Sequence, residues 1–182
     1  MDGRYMTTRN LKTIMSLVVV SAMLAFSSGA LADDVWLRHL KVLGNKGDAD
    51  ALYRVGRYDI QRGLNEVGIK WYVAAAEKGH VQAEMELADM YLQGKVVTQS
   101  NDRAIYWYQK AAENGDMNGQ FRLGMMYLNG EYVKKDLVQA YRWLRLAGAQ
   151  GNIKAAEQLV DIENDMSQDQ IDAAETLVAG KH

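Results

Sequence analysis

Between Ala83 and Gly115 the apolar residues return with the period of an α-helix. Ala83, Leu87 and Tyr91 lie at i, i+4 and i+8, which is one face of a first helix. Ala104, Trp107, Tyr108, Ala111 and Ala112 mark a second helix. Gly94 follows the first, where a left-handed cap favours glycine, and Gly115 closes the second. The same pattern then recurs along the chain. Trp71-Tyr72, Trp107-Tyr108 and Trp143-Leu144 are spaced by 36 residues, as are Ala75, Ala111 and Ala147, and Leu87, Leu123 and Leu159. The first unit is offset by 32, with Val55-Gly56 matching Leu87-Ala88 and Gly47 matching Gly79, so its inner loop is about four residues shorter. Seven of the 16 glycines (Gly47, Gly63, Gly79, Gly94, Gly115, Gly130 and Gly151) punctuate the units.

A helical hairpin repeated at this period cannot bury its apolar face alone, so the units must stack. The expected fold is all-α: a right-handed α-solenoid of antiparallel helix hairpins, with repeats at 48–79, 80–115 and 116–151. Small residues at fixed places let helices approach, and Trp and Tyr fill the space between hairpins. Loss of the Trp107 ring from such a core should cost about 3–5 kcal/mol. The ends read as caps. A lone helix over 34–44 precedes the first unit. A half-repeat through Ala155, Ala156, Leu159 and Ile162 and a last helix over 168–178 make a C-terminal cap at 152–180. Ser167 and Gln170 have capping-box spacing there, with Met166 and Ile171 placed as a hydrophobic staple.

Residues 1–32 have a different pattern, that of an address. Arg4, Arg9 and Lys12 precede the apolar run Ile14 to Phe26, and Ala30-Leu31-Ala32 supplies an A-x-A site. As a helix, that run would span about 20 Å, short of the ~30 Å hydrocarbon core of a bilayer. The expectation is a signal peptide cut after Ala32, a periplasmic destination, and no stable membrane insertion after cleavage. Asp2 and the second methionine leave Met1 and Met6 both open as the start.

Composition narrows the chemistry. The chain has 182 residues, no cysteine, no proline and a formal net charge of -2. Without residues 1–32, which hold three basic and one acidic side chain, the charge becomes -4. Zero cysteine excludes disulfides, thiolate metal sites, nucleophilic thiols and cysteine-linked lipid anchors. The acidic balance speaks against nucleic acid, which demands a basic surface. The remaining 33–182 make one domain, expected to be a monomer.

With these residues quoted, the units resemble the Sel1-like repeat, a relative of the tetratricopeptide repeat. The third unit carries the pattern through Leu123-Gly124, Tyr127, Gly130, Val133, Asp136, Ala140, Trp143, Ala147 and Gly151. The second carries it through Ala83, Leu87, Tyr91, Gly94, Asp102, Ala104, Trp107-Tyr108, Ala111-Ala112 and Gly115. The first departs most, with Asp59 at the tyrosine position and a short loop. The resemblance implies a solenoid that binds other proteins and does not imply one reaction.

No catalytic constellation stands out. The three histidines, His39, His80 and His182, form no His-x-x-x-His pair. No G-x-S-x-G elbow or S-x-x-K nucleophile exists. Glu84 and Glu86 alternate on one helix and face different sides. No metal, no cofactor and no enzymatic activity are therefore expected.

The outward side of the first helices is more informative. It carries Arg54, Arg57 and Gln61 in the first unit, and Glu86, Asp89 and Gln93 in the second. It carries Arg122, Met125 and Asn129 in the third, and Gln158, Asp161 and Asp165 in the fourth. Stacked, these stripes make a banded concave surface that reads a protein partner by charge. Taken singly, each residue also fits a solvated face. The leading expectation is a periplasmic protein-binding adaptor or scaffold. The resemblance also implies an alternative, an immunity protein that neutralises a secreted phospholipase-type toxin. A third possibility of a different class is a small hydrolase acting on cell-wall material or a β-lactam.

Overall fold

The protein is described by a computed structural model covering residues 29–180, with side chains from Val35. The basic start and apolar run of the expected signal peptide lie outside these residues. Among the described residues all regular structure is helical. The elements are α1 (Gly29–Asn45), α2 (Ala49–Gln61), α3 (Asn65–Ala76), α4 (Val81–Gln93), α5 (Asn101–Glu113), α6 (Met117–Asn129), α7 (Leu137–Ala149), α8 (Ile153–Asp165) and α9 (Gln168–Ala179).

The helices pair as the periodicity predicts. α2 packs on α3, α4 on α5 and α6 on α7 within units, while α3 meets α4, α5 meets α6 and α7 meets α8 between units. At the N-terminal end α1 covers α2, and at the other end α9 packs on α7. The result is a stacked-hairpin solenoid. Its core holds the residues in register: Leu87, Leu123, Ala75, Ala111 and Ala147 are all buried. Tyr72 and Tyr108 are almost fully buried, at 1% and 0% exposure, and Trp143 at 2% is tighter than Trp107 at 8%.

Side-chain capping is the local reason the helices start where they do. Asp48, Asp116, Asp136 and Asn152 each accept an N–H two or three residues into the next helix. His80 does the same through Nδ1, 3.2 Å from the Ala83 N–H, and its ring stacks on Tyr53 with centroids 4.5 Å apart. Ser167 forms the expected capping box with Gln170. Met166 and Ile171 join one apolar cluster, consistent with a staple. The helix ends follow the same rule. Gly94 and Gly130, at φ 67° and 69°, adopt the left-handed conformation that a Cβ penalises. The other five punctuating glycines also have positive φ.

Two features differ from expectation. The helix expected over 34–44 begins at Gly29 and takes in Ala30-Leu31-Ala32. Ala30, Leu31 and Ala32 are good helix formers, and no proline or glycine separates them from the helix that follows. The first unit is also closer-packed than its neighbours. A Cβ on Gly56 would sit 2.7 Å from the Tyr72 ring and 2.9 Å from the Gly68 carbonyl, and one on Gly68 would sit 2.8 Å from the Gly56 carbonyl. Two facing glycines thus bring the backbones of α2 and α3 together. The matching positions are Ala88 with Ala104, and Gly124 with Ala140. The connection between these helices is only residues 62–64, against 94–100 in the second unit.

Candidate binding face

The twelve residues expected on the outward stripes fall on α2, α4, α6 and α8 as the register requires. Arg54, Arg57, Gln61, Gln93, Arg122, Asn129, Asp161 and Asp165 are exposed, and Glu86, Asp89, Met125 and Gln158 are half-buried. The structure gathers three of them, Glu86, Asp89 and Arg122, around one open depression of about 420 Å³ between α4 and α6. Gln82, Met85, Asp116, Asn118 and Phe121 complete its walls. The other nine are not among its lining residues.

The acidic band is anchored by tyrosines. Tyr53 donates to Glu86 Oε1 at 2.8 Å and Tyr72 donates to Glu86 Oε2 at 2.5 Å. Gln82 adds a third donor at 3.0 Å. Tyr108 donates to Asp89 Oδ1, and the Arg122 guanidinium lies 3.6 Å from the same oxygen. Arg122 Nη1 is also 3.5 Å from the Tyr108 hydroxyl. Burial first, and then the neighbouring carboxylate, hold the Tyr72 and Tyr108 hydroxyls well above the ordinary tyrosine range. Tyr53 is raised for the same reasons, with Arg57 opposing. These phenols therefore remain donors at any physiological pH.

A rule runs through the arrangement. The Tyr72 and Tyr108 hydroxyls each sit between an outward residue of their own unit and one of the next. For Tyr72 these are Arg57 and Glu86, and for Tyr108 they are Asp89 and Arg122. The signs are reversed from one junction to the next. Position 144 is leucine, and the corresponding outward residues are the uncharged Met125 and Gln158. Sequence reasoning read Tyr72 and Tyr108 as core filling and did not name Tyr53, Gln82, Met85, Asp116, Asn118 or Phe121. The available signal was the hydroxyl itself, since a buried Tyr O–H usually finds a partner.

Elsewhere the face is loosely knit. Arg54 pairs with Asp50 at 2.7 Å within α2. The C-terminal cap has its own network, in which Tyr141 donates to Glu175 at 2.8 Å and Arg145 lies 3.4 Å from the same carboxylate. Among the described residues no group of His, Asp and Glu side chains could hold a metal, and no helix is long and apolar enough to cross a membrane. Glu84 lies in the core, away from Glu86 on the face.

The comparisons with known proteins bear on the repeat and its fold. The Sel1 repeat model matches residues 49–80, 81–116 and 118–152. The chain belongs to the Sel1 repeat family. Its boundaries lie within two residues of the units read from periodicity. A Sel1 repeat protein from Oxalobacter formigenes is 34% identical, with 69% of this chain and 97% of that chain covered, at a TM-score of 0.62. A protective antigen of uropathogenic Escherichia coli with an SLR fold is 29% identical at a TM-score of 0.65, and 80% of this chain covers 32% of that one. This chain thus spans about a third of that antigen's length. Cysteine-rich protein B of Helicobacter pylori is 22% identical at a TM-score of 0.52 and shares the fold. No curated protein is significantly similar in sequence. Sel1 repeat proteins are protein–protein interaction modules built on a generally non-enzymatic scaffold.

Proposed function

We propose that this Sel1 repeat chain is an exported, periplasmic adaptor that captures a protein partner on the face formed by α2, α4, α6 and α8. The depression between α4 and α6 carries this reading. It combines the carboxyl groups of Glu86, Asp89 and Asp116 with the apolar side chains of Met85 and Phe121. A partner segment with a basic side chain next to an apolar one fits that chemistry. Because three donors orient Glu86, little side-chain freedom is lost when a partner docks.

The export half of the reading rests on the Arg/Lys start, the apolar run and Ala30-Leu31-Ala32. Fractionation of the producing cell, followed by N-terminal sequencing, tests it. The expected result is a periplasmic protein beginning at Asp33. A chain recovered in the cytoplasm with residues 1–32 attached overturns it.

The binding half is tested by capture on the immobilised protein. Two variants interrupt the face at exposed positions, Asn118→Lys in the depression and the pair Arg54→Glu with Arg57→Glu on the first band. Each should weaken capture, Asn118→Lys at an unchanged melting temperature and the double variant with a small loss from the broken Arg54–Asp50 pair and the reversed charge beside Tyr72. Undiminished capture by both variants sinks the assignment of this face.

A further inference from the structure

We infer that Glu84 is held as a neutral carboxylic acid, its proton donated to the carbonyl of Ala76, and that the joint it makes between inter-unit turns loosens when that proton leaves. The inference stands on a comparison within the molecule. Glu84 and Gln120 occupy the same place in successive units, 36 residues apart, and both are buried, at 1% and 3% exposure. Gln120 works as a staple between two turns. Its Oε1 accepts from Gln150 Nε2 at 2.8 Å, and its Nε2 donates to the carbonyl of Ala112 at 3.1 Å. One unit earlier, Asn114 stands in the place of Gln150 and Ala76 in the place of Ala112. The first half of the staple is present, because Asn114 Nδ2 donates to Glu84 Oε1 at 2.8 Å. The carbonyls of Ala76 and Ala112 are also held alike, accepting from Gly79 and Gly115 at 2.8 and 3.1 Å.

The second half differs in one atom. Where Gln120 has an NH2 group, Glu84 has Oε2, which is buried and has no hydrogen-bond partner. An oxygen in that position facing a carbonyl oxygen is repulsive unless it carries hydrogen. In an ionised carboxylate, Asn114 would still serve Oε1, but Oε2 would be a buried charged oxygen without a donor, which is costly. Protonated, the carboxyl reproduces the Gln120 staple, with O–H in place of N–H. Burial pushes the Glu84 carboxyl above the ordinary glutamate range. The surrounding groups are mixed: Asn114, Lys110 of α5 and His80 at the start of α4 favour the charged form, and Asp116 at the start of α6 opposes it.

The sign of the pH dependence follows. The folded chain binds this proton more tightly than the unfolded chain. The staple is therefore fully present below the ordinary glutamate range, and its stability is lost as pH rises toward the folded value. A Glu84→Gln variant of the full chain installs the Gln120 chemistry and removes the titration. Urea unfolding should show the two proteins equal near pH 4. The variant should then gain by up to about tenfold in unfolding constant per pH unit until Glu84 ionises. Because His80 is one of the groups acting on Glu84, the comparison is repeated in a His80→Asn background, asparagine being the residue at the same place in the fourth repeat. A growing advantage for Glu84→Gln in both backgrounds supports the inference. A pH-independent difference, a variant weaker than the parent at pH 7, or a pH effect that vanishes with His80 overturns it. Infrared spectra give a second readout. A protonated-carboxyl stretch at pH 6 should be present in the parent and missing from Glu84→Gln. Identical spectra rule the neutral acid out.

Discussion

The junction built around Tyr72 and the one built around Leu144 occupy the same place in the repeat and solve different problems. Tyr72 is almost fully buried, yet its hydroxyl reaches Glu86 on the outward face. It ties the second helix of one unit to the first helix of the next through a polar link, with Arg57 acting from the other side. Leu144 is just as buried, and nothing at its tip requires a partner. The outward positions that would flank a hydroxyl there, Met125 and Gln158, are uncharged. Charge on the face and hydroxyl in the core are therefore gained or lost together. A buried phenol needs an acceptor, and a half-buried carboxylate needs donors, so each justifies the other. The consequence for binding is that the acidic band is rigid at the first two junctions, whereas the third contributes a softer apolar stretch.

The strongest way to break this comparison is to truncate the buried side chain at each junction. Tyr72→Ala should destabilise by about 3–5 kcal/mol, because it opens a cavity and also deprives Glu86 of a donor. Leu144→Ala should cost less, since it leaves no polar group unpartnered. Urea denaturation of both variants checks the order, and equal losses would remove the polar link from the account.

A smaller effect is expected from the close approach beneath each of these side chains. Gly56→Ala drives a methyl against the Tyr72 ring and the Gly68 backbone carbonyl, which cannot rotate away, and should cost about 1–3 kcal/mol. Gly124→Ala meets the side chain of Leu144 first, 2.7 Å from Cγ, and reaches backbone only at 3.2 Å, against 2.9 Å for the Gly68 carbonyl at Gly56. Its loss in melting temperature should be the lesser of the two.

The finest test deletes a single oxygen. Tyr108→Phe leaves the packing intact and removes the donor to Asp89, at a cost of about 1–2 kcal/mol at pH 7. Because the folded hydroxyl holds its proton above the ordinary tyrosine range, its contribution is present below about pH 10 and fades as pH rises further. The gap between parent and variant should then narrow between pH 7 and 11. In the C-terminal cap, where burial and then Glu175 push Tyr141 up to about 12, the same alkaline loss should appear in Tyr141→Phe.

Much of the architecture was legible in the chain because it is written redundantly. The Trp-Tyr spacing, the capped helix starts and seven glycines all report the same period, and all seven adopt positive φ. The banded face was legible as a list of positions, since register alone decides which residues point outward. Its internal ties were not. Glu86 takes donors from α2 and α3, both in the preceding unit, and no local pattern ties residue 86 to 53 or 72. The depression between α4 and α6 was missed for the same reason, as its walls come from two units and no local pattern ties Asp116 or Phe121 to Glu86. His80, which no metal-ligand spacing singles out in the sequence, caps α4.

By itself, then, the sequence determined the repeat, the helix pairing and which side of each helix meets solvent, because these follow from periodicities and caps that act within one unit. Only the tertiary structure decided which outward charges are anchored and which are free to meet a partner. It also decided that Glu84 and Gln120, alike by position, differ in that the Gln120 amide reaches the Ala112 carbonyl while Glu84 Oε2 is buried without a hydrogen-bond partner. Those outcomes depend on atoms brought together from different units, and the strength of a buried hydrogen bond or charge is set by its surroundings rather than by its place in the chain.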